Sequence, residues 1–420
     1  MATEAVPVVR VRLRRAVFVA GAAIGLAGGY SPAYFGTLSV FLKPIASGFG
    51  WTRAQASLVA VLAQIGIALG APIIGGLIDR YGGSRIIAPA VVLFALGLTG
   101  LTLVPNDLVL FGALTLLTGF VAVATTPVGY LSVLSRGFDR RLGLALGFAM
   151  LGLGIGTVLA PVIAQRWITA AGWHSAYRSV ALLVLALGAV ALVLMVAAGG
   201  AQATSGRTRP AEGAPPLPGM LFAEGLRSGR FWLIALVFFA VSAAALGAAV
   251  HMVAMLSDRG MPPALAARGA AWIGIGLMVG RFGAGALMDM VHARYVAALA
   301  FSLGAAGLAL LAWLPAPSLA VTSTGAVLFG LTVGAEGDIM PFLVRRYFGL
   351  LQFSLFFGVF LGIYSLGGVV GPVLYGAVFD RLHGYGAALG SGAAICAGAA
   401  LAILALGPYR FAAAAAARRG

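Results

Sequence analysis

The chain has 420 residues, 61% of them hydrophobic and only 9% charged; soluble proteins carry about 25% charged residues, so a soluble globular fold is excluded. Its formal net charge of +16 does not point to nucleic acid, because the basic residues are scattered between apolar runs, with no dense stripe and no zinc-finger spacing. A single cysteine, Cys396, excludes an intrachain disulfide.

Arginines at 10, 12, 14 and 15 precede an apolar run from Ala16 to Leu42. That run is too long for a signal-peptide core and lacks a convincing cleavage site, so it reads as an uncleaved first helix. Further apolar runs fall near 55–78, 86–104, 108–134, 142–165 and 176–198, and resume near 231–256, 264–288, 295–314, 317–341, 352–378 and 386–408. Runs of this length are helical spans, since barrel strands are far shorter. The 61 glycines fit helices packed backbone to backbone. The expected fold class is therefore an all-α membrane protein of twelve transmembrane helices. The interval 199–230 is the only long Pro/Gly/polar segment and reads as a cytoplasmic linker. It divides an N-terminal six-helix half, 1–198, from a C-terminal six-helix half, 231–420.

With the N-terminus inside, cytoplasmic segments hold 19 of the 27 Lys and Arg, outer loops hold seven, and Arg281 is left over. This positive-inside pattern places both termini in the cytoplasm. The halves also echo each other at an offset of 210 residues: Asp79 with Asp289, Arg136 with Arg346, Phe138 with Phe348. Several coincidences at one spacing indicate an internal duplication, an arrangement that places a substrate site near the midplane between repeats.

The stretch Ala264 to Met288 is long enough to span, yet contains Arg281. An arginine near the centre of a spanning helix costs about 2.5–3.5 kcal/mol on insertion scales and normally faces a wet cavity or a partner. Its planar fork suits a carboxylate and does not lose its proton at ordinary pH. Arg281 is thus the candidate anion-binding group, the alternative being an arginine that snorkels to headgroups or pairs with an acidic loop residue. No HExxH, Walker or GxSxG pattern occurs, and the four histidines (174, 251, 292, 383) have no metal spacing. No enzyme activity, metal or cofactor is expected.

The segment Gly75-Gly-Leu-Ile-Asp-Arg-Tyr-Gly-Gly-Ser-Arg85 resembles the loop between helices 2 and 3 of the major facilitator superfamily, with Gly76, Asp79, Arg80, Gly82 and Arg85 at the family's positions. A worn copy, Gly285 to Arg294, follows helix 8. Within that superfamily the chain looks most like the monocarboxylate transporters and their oxalate/formate-antiporter relatives. The stretches Phe138 to Gly152 and Gly334 to Gly349 resemble their signatures near helices 4–5 and 10–11, and Gly280-Arg281 sits where they carry a substrate-binding arginine. The chain departs from them in three places: Gly36 replaces a helix 1 lysine, Leu277 replaces an aspartate, and 352–378 contains no Lys or Arg. One fixed cation favours a substrate with a single carboxylate.

The resemblance implies a major facilitator fold and a lactate- or pyruvate-like monocarboxylate moved by alternating access across the inner membrane, with proton symport. An oxalate/formate-type exchanger and a drug or metabolite exporter remain alternatives. Arg281 would bind the carboxylate, with His251, Tyr34 and Tyr364 completing the pocket. His251 is also the candidate proton carrier, because imidazole titrates near neutrality; a neutral histidine bonded to a backbone carbonyl is the alternative. Asp79, Arg80 and Arg85 would form a cytoplasmic gate, with Asp289, Arg136, Glu336, Asp338 and Arg346 as similar latches near that face. The carboxylates would repel an anion but could accept protons. The expected partners are a small organic anion, protons and the lipid bilayer, and a monomer is the expected working unit.

Overall fold

Hydrocarbon offers backbone amides no partner, so a chain this apolar must close its hydrogen bonds within helices. The structure, a computed structural model, describes residues 5–138, 141–200, 217–313 and 318–411, which form helices joined by short turns. In chain order these are α1 (Ala5–Ala27), α2 (Leu38–Phe49), α3 (Arg53–Tyr81), α4 (Gly83–Leu101), α5 (Leu108–Ala122), α6 (Pro127–Gly137) and α7 (Leu142–Met195). They continue with the short α8 (Phe222–Leu226), then α9 (Gly229–Asp258), α10 (Pro263–Met288), α11 (Ala293–Trp313), α12 (Leu319–Tyr347), α13 (Phe353–Leu382) and α14 (Gly386–Ile403). Among the described residues, 11 helical stretches are long and apolar enough to cross a membrane. The middle of the expected linker, 201–216, lies outside the described residues, as do positions 139 and 140 of the helix 4–5 motif.

Two expected spans are interrupted, and one long helix breaks between two expected spans. The expected first span, 16–42, breaks after α1 into a π-helical turn, Ser31–Gly36, with proline near its start. Pro32 brings no N–H to the helical ladder, and a Cβ on Gly29 would lie 2.1 Å from the Thr125 carbonyl oxygen. The amide of Tyr30 is recovered by the Thr125 hydroxyl at 3.1 Å. The expected span 108–134 divides at Val123–Thr125, where the Thr126 side chain caps α6 and Pro127 occupies its first turn. Finally, α7 runs for 54 residues but leaves helical geometry at Gly172, φ 76° and ψ 169°. A continuous helix of that length would measure about 81 Å, more than twice the roughly 30 Å hydrocarbon core.

The chain forms two compact units that are not simple halves. The first comprises Met1–Asp139, Phe148–Gly219 and Leu350–Gly362; the second comprises Arg140–Gly147, Met220–Gly349 and Ile363–Gly420. Each therefore takes a helix beginning from the other part of the sequence.

One packing device recurs inside both. In the first unit a Cβ on Gly66 would lie 2.1 Å from the Leu116 carbonyl oxygen, and one on Gly119 would lie 2.3 Å from that of Ala63, so α3 and α5 touch through backbone. In the second unit Gly276 and Gly280 of α10 face the carbonyl oxygens of Val327 and Leu331, each 2.2 Å from the position of a Cβ. Gly330 and Gly334 of α12 return the contact to Ile273 and Leu277, at 2.3 and 2.1 Å. Glycines four residues apart on both helices give the small-residue crossing that replaces hydrophobic drive in lipid. The 210-residue offset carries Gly66 and Gly70 onto Gly276 and Gly280.

Candidate functional site

The crossing of α10 and α12 positions the site. Arg281 directly follows Gly280, and Glu336 and Asp338 lie two and four residues beyond Gly334. Backbone contact at the glycines brings these three charged residues into one buried cluster, with relative exposures of 6%, 1% and 0%. Arg281 sits in the electrostatic field of Asp338, Tyr364 and Glu336. From α13, Tyr364 faces Glu336; its own carbonyl accepts the Ser242 hydroxyl of α9 at 2.7 Å. From α14, Cys396 also feels Glu336. Gly147, at the start of α7, lies beside the cluster: a Cβ there would stand 4.0 Å from Asp338 Oδ2.

Many polar atoms of this cluster lack a hydrogen bond of ordinary geometry, although the Tyr364 side chain interacts with Glu336. Among the described residues, Nε and Nη1 of Arg281 and all four carboxylate oxygens of Glu336 and Asp338 have no hydrogen-bond partner. Nor does Arg281 form a direct ion pair among those residues. Removing an ion from water carries an effective penalty of several kcal/mol even after relaxation. Three such groups so sparsely paired are not a stabilising feature, which makes the cluster the candidate site. The repeat sharpens this. At the offset of 210, the counterparts of Arg281, Glu336 and Asp338 are Ala71, Thr126 and Val128, so both units share the glycine crossing and only the second is charged.

Of the residues expected to line a pocket, Arg281 and Tyr364 thus come together. His251 does not join them in this network. Its Nε2 lies 3.0 Å from the Pro372 carbonyl oxygen and its Nδ1 lies 3.1 Å from the Tyr385 hydroxyl. A carbonyl can only accept, so Nε2 carries the hydrogen and Nδ1 accepts from tyrosine in the neutral ring. Tyr34 belongs to the first unit, on the π-helical turn, 1% exposed and stacked on Tyr30 with ring centroids 5.4 Å apart. Tyr30 in turn donates to Gln64 Oε1 at 3.3 Å.

Glu336 and Asp338, the expected latches near the cytoplasmic face, lie in the buried cluster with Arg281 and form no direct ion pair among the described residues. Their proximity to Arg281 could have been read from the two glycine pairs of equal spacing, each followed within four residues by charge. Direct polar contacts occur instead at Asp79 and Asp289. Asp79 Oδ1 accepts from Arg136 Nη2 at 2.7 Å and from the Ser354 amide at 3.0 Å, and Oδ2 accepts from the Leu355 amide at 2.8 Å. Asp79 is thereby ion-paired and also caps the first turn of α13, where free amides and the helix dipole favour an anion. In the second unit Asp289 does the same for α7, accepting from the Gly143 and Leu144 amides, each at 2.9 Å. Two aspartates 210 residues apart thus cap helix beginnings in the same way, but the arginine is not repeated. Arg346 lies over the rings of Phe342 and Tyr409, at 5.1 and 5.7 Å.

Around Asp79, Gly82 takes φ 97°, a region that favours glycine. Arg80 and Arg85 are exposed. Gly76 has ordinary room, with Leu355 at 3.9 Å, whereas the adjacent Gly75 would bring a Cβ within 2.1 Å of the Ser354 carbonyl oxygen. Its counterpart Gly285 packs on Gly143 in the same way, at 2.8 Å. Among the described residues, no group of three or more His, Cys, Asp or Glu could hold a metal ion.

Residues 16–349 match the family described as Major Facilitator Superfamily. Among curated relatives, monocarboxylate transporter 13 of Bos taurus is 30% identical over 356 residues, covering 83% of this chain and 80% of that protein. Human monocarboxylate transporter 11 is 27% identical over 401 residues, covering 90% and 80%. Among solved structures, the Escherichia coli fucose:proton symporter FucP superposes with a TM-score of 0.67 at 16% identity, covering 94% of this chain and 98% of that one. The human organic anion transporter MFSD10 gives 0.66 at 14%, covering 94% and 99%; at these identities the likeness is one of fold. The chain belongs to the major facilitator superfamily. It is a multi-pass membrane protein and a secondary transporter that works by alternating access, not an enzyme.

Proposed function

We propose that the protein moves a small monocarboxylate of the lactate or pyruvate kind across the cytoplasmic membrane in symport with protons, and that Arg281 holds the carboxylate. The observation that carries this reading is the buried guanidinium with two nitrogens lacking partners among the described residues. A planar fork of donors pairs with a carboxylate through two parallel hydrogen bonds. The relatives named as monocarboxylate transporters support the same substrate class. Tyr364 offers a second donor from α13, and its ring packs against a short carbon chain. His251, tied to Pro372 and Tyr385, acts as a strut that joins α9 to α13 and the turn before α14. Tyr34 shapes the wall of the first unit.

The proposed topology has twelve crossings, with α7 passing the membrane twice about Gly172 and both termini in the cytoplasm, as the distribution of arginines requires. Asp79 with Arg136, and Asp289, hold helix beginnings in place and serve as gate elements that release during the transport cycle. The test is uptake of radiolabelled lactate and pyruvate into proteoliposomes, with and without an inward proton gradient, for wild type and Arg281→Lys. Lysine supplies charge without the fork, so transport by the variant is expected to fall at least tenfold, about 1.4 kcal/mol. Wild-type rates in that variant would refute the role of Arg281.

A further inference from the structure

The cluster around Arg281 holds more acid than the guanidinium can balance. With Arg281, Glu336 and Asp338 all ionised, a region at most 6% exposed would carry a net charge of minus one. Among the described residues, the groups that face these carboxylates from the neighbouring helices are Arg281 on α10, Tyr364 on α13 and Cys396 on α14. Only the first of these is a cation. His251, the other candidate for a proton, spends both ring nitrogens on Tyr385 and Pro372.

Building on the reading of Arg281 as the substrate site, we propose that Glu336 and Asp338 together form the proton-carrying site of the transporter. In the empty cluster one carboxyl is protonated and the other is ionised against Arg281, so the charges sum to zero. When a monocarboxylate anion pairs with Arg281, the remaining carboxylate loses its counter-charge and takes up one proton, forming an O–H bond. The sum returns to zero with both carboxyls protonated. Release of the anion on the far side restores the attraction of Arg281 for a carboxylate, and that proton leaves. One proton therefore accompanies one anion, no net charge crosses, and no further reactant is needed. The requirement for neutrality is physical: an uncompensated charge in this interior is far costlier than a proton transfer.

The placement of the two acids supports a shared site. They lie two residues apart on α12, immediately past the glycine crossing that presses this helix on α10. Residues two apart do not share a helix face, yet both acids act on Arg281. None of their four oxygens makes a hydrogen bond of ordinary geometry among the described residues, and the Tyr364 side chain interacts with Glu336, so no ion pair fixes either acid in its charged form.

The experiment compares wild type with the double variant Glu336→Gln and Asp338→Asn in proteoliposomes, using radiolabelled L-lactate. Counterflow at equal pH reports binding and exchange without net proton movement; accumulation under a proton gradient reports coupling. At one proton per anion, a gradient of one pH unit sustains about tenfold accumulation. Wild type is expected to show both activities. The double variant should accumulate no lactate above the external concentration and lose its response to the pH gradient, a larger loss than that of its counterflow, whose remaining rate also reports that it is folded. Gradient-driven accumulation by the double variant would overturn the assignment while leaving Arg281 as the substrate site. Absence of lactate counterflow in wild type would overturn the substrate reading, and the proton assignment with it. Infrared difference spectra on adding lactate give a second readout. A protonated carboxyl band that shifts in Glu336→Asp or Asp338→Glu supports the assignment; no such band in wild type would overturn it.

Discussion

Replacing Gly280 with alanine tests whether the glycine crossing positions the charged cluster. The new Cβ would stand 2.2 Å from the Leu331 carbonyl oxygen and 2.9 Å from both the Leu331 carbonyl carbon and Cα. Ordinary contact begins at 3.4 Å, so α10 and α12 must part by 1.2 Å at this point. The obstacle is backbone, which cannot swing aside as a side chain can. Overpacking of this kind costs about 1–3 kcal/mol, against which alanine's helix propensity returns at most about 1 kcal/mol. The displacement falls one residue from Arg281. A misplacement of about 1 Å at a reacting or binding group can reduce rate by about a hundredfold, so lactate counterflow should suffer more than thermal stability. Gly274→Ala and Gly283→Ala are the controls, because a Cβ at either position of the same helix meets nothing within 4 Å. Unfolding temperature of the purified protein and counterflow rate would be measured for all three variants. If Gly280→Ala behaves like the two controls, the crossing does not set the geometry of the site.

Two other outcomes follow from the charged caps and from the loop after α10. Asp79→Asn removes an ion pair and two charge-assisted amide bonds within the first unit, whereas Asp289→Asn removes amide bonds alone at an exposed position. With hydrogen bonds to charged groups contributing about 1.5–3 kcal/mol, the Asp79 variant should show the larger fall in unfolding temperature; the reverse order would contradict the capping scheme. His292, outside the spans, stacks on Tyr409 with ring centroids 3.8 Å apart. Burial and the nearby Arg294 push its imidazole below the ordinary 6.5. The folded state therefore binds fewer protons than the unfolded one, so this contribution is full above about 6.5 and is lost as pH falls through the lowered folded value. Unfolding measured across that range should lose stability on acidification in wild type, and less in His292→Phe, which keeps the stacking and removes the titration.

Much of this protein is determined by properties local to the sequence. Apolar runs too long for barrel strands dictate spanning helices. The offset of 210 linking Asp79 to Asp289 foretells two acids with one job, and an arginine in an otherwise apolar run marks Arg281. Tertiary structure alone decided which charges meet. Glu336 and Asp338 sit near the end of an apolar run, where position favours a latch at the membrane face. A carbonyl oxygen 2.2 Å from the would-be Cβ of Gly280 instead brings α12 against α10, so these acids share a buried space with Arg281. Likewise Arg346 matches Arg136 by spacing but lies over aromatic rings, and His251 spends its nitrogens on α13 and the turn beyond it. Hydropathy reports how deep a residue can lie in a membrane. Its partners depend on where two helices cross, which only their packed backbones decide.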